Sequence, residues 1–243
     1  MSDPVLDPIQ RRLPDGGPVY VETPPDIEKF TGTVAEPWNT ASACLFVLIV
    51  LLWIWRLRGR YRDHVFLTAC LPLLLAGGIG GVLFHGRRTS FAFFLLDVIP
   101  IYLLGLSVMI WIWVRLGPRW HHLIGFVAVL GFLQMFAQLR LPRQWAINVS
   151  YASLALMVLL PVVLALVRTR FFQGGWVVTA LICFAIAWVC RIADTTRPPL
   201  LTMGTHWLWH LFGAATTAAL SVYVYHIEQV SLRSASTGSG HVG

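Results

Sequence analysis

From residue 36 to residue 228 the chain alternates between long apolar runs and short, mostly basic loops. Seven runs stand out, near 38–57, 64–84, 91–114, 120–138, 146–167, 174–194 and 204–226. A helix of about 20 residues crosses a hydrocarbon core of ~30 Å, and each run is close to that length. The pattern predicts an all-α membrane protein, a seven-transmembrane helix bundle occupying residues 36–228. Pro72, Pro100 and Pro161 fall inside runs, which membrane helices tolerate because neighbouring groups re-satisfy the freed backbone. Residues 1–35 read as a polar, acidic, Pro-rich N-terminal tail or loop, of which 1–17 are expected to be solvated. Residues 229–243 are Ser/Gly-rich and are expected to form a disordered tail.

Composition agrees with this division. Charged residues make up 12% of the 243-residue chain and hydrophobic residues 57%, whereas soluble domains carry about a quarter charged residues. The formal charge of +7 does not point to nucleic acid. Apart from Lys29 the basic residues are all arginine, and most lie between apolar runs, where they set topology. The two sides carry nearly equal basic charge. The dense first loop, with Arg56, Arg58, Arg60 and Arg62, places that side in the cytoplasm, with the N-terminus outside and the C-terminus cytoplasmic. The polar start of the chain is unlike a cleavable signal peptide, and the compact chain favours a bacterial inner membrane over a eukaryotic internal one. Cys44, Cys70, Cys183 and Cys190 all lie in apolar runs without a CxxC pair and read as packing residues. Tryptophans near run ends, such as Trp38, Trp55 and Trp120, read as interfacial belts.

Ionisable side chains are costly inside a bilayer, so their positions are informative. His206 and His210 are four apart, which stacks them on one helix face. Two imidazoles so placed can hold a metal, or can be hydrogen-bonded interfacial histidines. The alternation of seven spans decides between these. It brings the start of span 1 (Glu36, Asn39), the end of span 2 (His85), Asp97 of span 3, the end of span 6 (Arg191, Asp194) and the start of span 7 to one leaflet. Three neutral imidazoles, from His85, His206 and His210, leave a fourth tetrahedral position open, as catalytic zinc requires, although His with Asp also suits iron or manganese. Asp97 is the candidate general base. Its competing role is a salt bridge to Arg191. His64, His121, His122 and His226 fall on the other side and read as interfacial.

Four segments, in order, resemble the motifs of the alkaline ceramidases. They are Glu36-Pro-Trp-Asn-Thr-Ala-Ser42, Gly78-Ile-Gly-Gly-Val-Leu-Phe-His85, Leu95-Leu-Asp-Val-Ile-Pro-Ile-Tyr102 and His206-Trp-Leu-Trp-His210. That family belongs to a superfamily of seven-helix metal hydrolases that includes the adiponectin and progestin receptors. The resemblance covers roughly residues 20–228. It implies that His85, His206 and His210 ligate zinc and that Asp97 is the catalytic acid/base. It also implies that the substrate is a ceramide-like membrane lipid, cleaved at its amide to a fatty acid and a sphingoid base. Three departures accompany it. The family's serine four residues before the span-2 histidine is Gly81 here, which removes a hydroxyl that Thr89 or Ser90 would have to replace. The His85-to-Asp97 interval is one residue longer. The acidic calcium loop before span 1 is matched only in part, leaving Glu22 and Glu36 as its candidate ligands, with Asp26 or Glu28 as further contributors.

Three functions follow. The first is a zinc-dependent lipid amidase of ceramidase type. The second is a related zinc hydrolase of another acyl lipid, suggested by Gly81. The third is a non-enzymatic receptor in which zinc ties helices together. A transporter is disfavoured, because the halves show no inverted repeat or paired broken helices.

Overall fold

The computed structural model describes residues 13–117, 120–196 and 198–238. Among these residues, seven helices follow an N-terminal loop that includes a 3₁₀ turn, Ile27–Lys29. They are α1 Pro37–Arg56, α2 Val65–Arg87, α3 Phe91–Leu116, α4 Trp120–Arg140, α5 Arg143–Arg168, α6 Gly174–Ala193 and α7 His206–Gly238. Each starts within a few residues of an expected apolar run, and no strand occurs among the described residues. Six of the helices, α1 to α6, are long and apolar enough to cross a membrane. The protein is therefore a multi-pass helical protein suited to a lipid bilayer. α7 falls outside that group for a physical reason: it carries His206, His210, Thr216, Thr217 and Ser221 along its inner half. It also runs ten residues beyond Glu228, where a disordered tail was expected. Neither Gly nor Pro interrupts it between Gly213 and Gly238, so nothing local stops the helix. Residues 239–243 and 1–12 lie outside the described residues.

The helices pack in the order α4, α5, α3, α2, α1, α7, α6. One core joins α1, α2 and α7 through Val50, Trp53, Leu57, Leu71, Ala214 and Tyr225. A second joins α3, α5, α6 and α7 through Ile112, Val162, Leu166, Val177 and Tyr223. Many large apolar side chains instead face outward, among them Leu51, Trp55, Ile124, Phe132 and Val189. In water such a surface would aggregate; against lipid chains it is the expected one.

α2 and α3 approach closely at Gly80, where a Cβ would collide with the backbone of Leu96. Small residues let membrane helices approach this closely, and here the approach brings Asp97 onto the face of α2 that ends in His85.

The N-terminal loop is folded, not solvated, from residue 13 onward. Leu13, Ile27 and Ala35 form a small core with Val19, and Asp15 is fully buried. The loop covers the end of the bundle where α2 finishes and α1 and α7 begin.

Candidate metal centre

Three buried histidines meet beneath this loop. The last turns of α2 supply His85, and the first turn of α7 supplies His206 and His210. Each offers one ring nitrogen, and these nitrogens lie within 4.8 Å of one another. Ring centroids are 5.3 Å apart for His85 and His206, and 4.8 Å for both His85–His210 and His206–His210. The histidines expected to converge do converge.

Hydrogen bonding fixes the tautomers of His85 and His210. Nδ1 of His85 lies 2.6 Å from Glu36 Oε2. A carboxylate accepts, so Nδ1 carries the proton and Nε2 keeps its lone pair. Nε2 is buried and has no protein partner. Nδ1 of His210 lies 3.1 Å from the Asn39 carbonyl oxygen and 3.0 Å from the Ser42 hydroxyl. A carbonyl also only accepts, which leaves Nε2 of His210 as its free lone pair. Nδ1 of His206 is buried without a partner. Buried polar atoms are normally satisfied. Two orphaned imidazole nitrogens beside a third lone pair therefore fit a cation that accepts nitrogen ligands, and the cluster can hold a metal ion.

The surrounding groups hold these rings in place. Glu36 receives hydrogen bonds from four side chains: His85, Asn39 Nδ2 at 3.1 Å, Thr23 Oγ1 at 2.5 Å and Arg88 Nη1 at 2.7 Å. Burial alone would raise the Glu36 carboxyl. The hydrogen bond from His85, with the Arg88 guanidinium and the Thr23 hydroxyl, outweighs it and holds the group at about 2. Arg88 also donates from Nε to Asp15 Oδ2 at 2.7 Å. Burial works against the Arg88 charge, but Glu36 and Asp15 outweigh it and raise its pKa. Tyr20 stacks on His206 with centroids 3.8 Å apart, so the loop closes directly over a candidate ligand. Burial pushes the Tyr20 hydroxyl well above its ordinary pKa, and the ring acts here as a neutral lid.

Two further carboxylates orient the helices that carry the site. Asp194, just after α6, accepts from the backbone N–H of Thr205 at 2.6 Å, His206 at 3.1 Å and Val21 at 3.1 Å. It therefore caps α7 and ties the loop to it, satisfying donors that a helix start leaves unpaired. Glu22 caps α1 in the same way, accepting from Trp38 at 2.6 Å and Asn39 at 2.9 Å.

Asp97 reaches the site across Gly81. A Cβ on Gly81 would lie 3.0 Å from Asp97 Oδ1 and 3.2 Å from Ala43 Cβ. The carboxylate thus packs against the position one turn before His85, and interacts electrostatically with His85, Arg88 and Glu36. Arg191 does not pair with it. That guanidinium donates to Asn148 Oδ1 at 2.6 Å and lies over the Tyr151 ring at 4.6 Å. Neither Thr89 nor Ser90 replaces a hydroxyl at position 81: Thr89 is exposed, and Ser90 caps α3 by accepting from Ala92 N.

Glu22 and Glu36, the candidate calcium ligands, are both engaged by protein donors. Calcium takes six to eight oxygen ligands. Both oxygens of Glu22 and both of Glu36 instead accept from N–H or O–H donors. Arg88 already supplies the cation at Glu36. Asp26 and Glu28 are exposed on the 3₁₀ turn. Arg88, Asp15, Tyr20, Thr23 and Ser42 are the site residues that sequence reasoning missed. Of these, Ser42 lay in the first of the four quoted motifs. No protein-family model and no curated protein matches the chain.

Proposed function

We propose that the protein is a zinc-dependent integral-membrane hydrolase that cleaves the amide bond of ceramide-like lipids to a fatty acid and a sphingoid base. The observation that carries this reading is the trio of buried imidazoles whose ring nitrogens lie within 4.8 Å of one another, with the Asp97 carboxylate packed one turn before His85. The motif resemblance to the alkaline ceramidases supports it. In this reading α7 is the seventh span, the N-terminus lies outside, and the host is a bacterial inner membrane.

His85, His206 and His210 would hold the zinc, with Glu36 and the Asn39 carbonyl orienting two of the rings. A zinc ion with an open position acts as a Lewis acid and lowers the pKa of water bound to it. The protein's own groups then do the following. Water adds to the amide carbonyl carbon and Asp97 accepts its proton. Asp97 returns that proton to the nitrogen as the C–N bond breaks, so one water is consumed and an acid and an amine leave. Tyr20 and the loop exclude bulk water from above. The acyl chains remain among the outward apolar faces of the helices.

The test is fatty-acid release from ceramides by purified protein of known zinc content. Asp97→Asn should keep the zinc and lose about 10²–10⁴ in kcat. Fully zinc-loaded wild type that releases no fatty acid from any ceramide or other N-acyl lipid overturns the amidase reading. Gly81, where the related enzymes place a hydroxyl, favours a second reading as a hydrolase of another acyl lipid. Release from an ester in the same panel would establish that one.

A further inference from the structure

A cleft of about 120 Å³ opens beside the histidines, on the far side of Tyr20. The N-terminal loop forms one wall, with Val19 and Tyr20. The first two turns of α5 form the second, with Arg143 and Asn148, and the end of α6 the third, with Arg191 and Asp194. Tyr20, one of its lining residues, is also the ring stacked on His206 at 3.8 Å.

Arg143 and Arg191 both line the cleft. The acid in its lining, Asp194, accepts three backbone N–H groups from Val21, Thr205 and His206. The start of α5 adds the positive end of a helix dipole. Arg191 is held in position rather than free in solvent: Asn148 accepts from Nη1, and the Tyr151 and Trp209 rings lie beneath the guanidinium at 4.6 and 5.9 Å. Its Nε is buried with no partner. A guanidinium held between Asn148 and two aromatic rings, a second arginine and a helix start together suit a tetrahedral oxyanion, which guanidinium groups bind through paired N–H donors. Trp145, exposed on the same wall, sits where an interfacial tryptophan would mark head-group level.

We propose that this cleft takes the phosphate of an acyl lipid's head group, so that the substrate presented to the histidines carries a phosphorylated head rather than a neutral hydroxyl. The binding half of the proposal stands on the cleft alone. The substrate half rests on the hydrolase reading above.

The experiment uses zinc-loaded protein in a maltoside detergent, which contributes no phosphate. Calorimetry measures binding of a single-chain acylglycerol phosphate, the same acylglycerol without phosphate, and inorganic phosphate. The phosphorylated lipid should bind about tenfold or more tighter than its neutral counterpart, the size of one or two charge-assisted hydrogen bonds. Arg191→Gln should abolish that preference and Arg191→Lys should restore part of it. Arg143→Gln, which also removes the bond from Nη2 to the Gly16 carbonyl, should reduce it, with unchanged zinc content as the check on folding. Equal affinity for the two lipids overturns the proposal, as does a preference that survives Arg143→Gln with Arg191→Gln. Inorganic phosphate binding as tightly as the lipid also overturns it, in favour of a small-anion site. The two readings separate in kinetics. Hydrolysis of an N-acyl lipid with and without a phosphate head should show a lower KM for the phosphorylated form, lost in Arg191→Gln. Binding without hydrolysis removes the hydrolase reading and leaves the anion site. Hydrolysis with no dependence on Arg191 does the reverse.

Discussion

The two ends of the bundle each bury a histidine beside a glutamate, and they use the pair differently. At the loop-covered end, Glu36 lies 2.6 Å from Nδ1 of His85 and turns Nε2 toward two other imidazoles. At the opposite end, His64 precedes α2 and Glu228 of α7 lies 3.6 Å from its Nδ1, too far for a hydrogen bond. That carboxylate is occupied instead by the start of α2, accepting from Phe66 N at 2.9 Å and Leu67 N at 3.4 Å. The His64 ring stacks on Tyr225 with centroids 4.3 Å apart. Similar residue types thus build a candidate metal centre at one end and a helix cap with an aromatic stack at the other. Burial of a histidine is not what separates them. The separating feature is several unsatisfied ring nitrogens converging on one point, with a carboxylate free to fix the tautomer.

The largest effect should come from the ligands. Wild-type protein purified in detergent should carry about one zinc per chain by elemental mass spectrometry, as a three-histidine site implies. His85→Ala and His210→Ala should each carry almost none, and His64→Ala should keep the wild-type content. Zinc retained in both ligand variants, or absent from freshly purified wild type, would make the cluster structural.

Removing the orienting group should cost less. Glu36→Gln keeps the shape and a hydrogen-bonding oxygen but loses the charge that fixes His85, so zinc affinity should fall about 10–100-fold, the usual cost of losing such a partner. Competition with a chelator measures it. The corresponding change at the other end, Glu228→Ala, should leave zinc affinity unchanged. It should lower stability by about 1 kcal/mol, the loss of a helix cap, read as a shift in thermal midpoint. A zinc effect from Glu228 would break the contrast between the ends.

How far the sequence carries this contrast depends on which physical signal each residue leaves. Apolar length is a direct count, so the starts of α1 to α7 were legible, while the end of α7 was not, because no breaker marks it. His206 and His210 were legible through helical spacing, and His85 and Asp97 through the alternation of spans. Arg88 was not. In sequence it is one more loop arginine, but it ends α2 with φ of 52°, a left-handed conformation that costs a non-glycine residue and directs the side chain back under the loop to Asp15 and Glu36. Asp15 and Tyr20 belong to a segment without periodicity, and only tertiary folding places them. His64 reads as interfacial because its partner Glu228 lies beyond the expected end of the last span. Gly81 left a signal that was only half readable. Its lost hydroxyl is visible in the sequence, but the space it gives Asp97 requires knowing that α3 crosses there.

The smallest expected effect concerns pH and again sets Glu36 apart. Its carboxyl is held at about 2, against an ordinary value of 4.5. A group whose folded value is depressed is protonated first in the unfolded chain. Its contribution is therefore complete above about 4.5 and is lost as pH falls toward about 2. Metal-free wild type should lose thermal midpoint through that window, because protonated Glu36 can no longer accept from both His85 and Arg88. Glu36→Gln has no such proton to take up, so its midpoint should fall less steeply over the same range. In a chain of this size each kcal/mol corresponds to about 2–4 °C, so scanning calorimetry in matched buffers can resolve the difference in slope. Parallel slopes for the two proteins would mean that the Glu36 charge contributes nothing to closing the loop over the histidines. The loop would then be held by Asp194, Glu22 and its small apolar core instead.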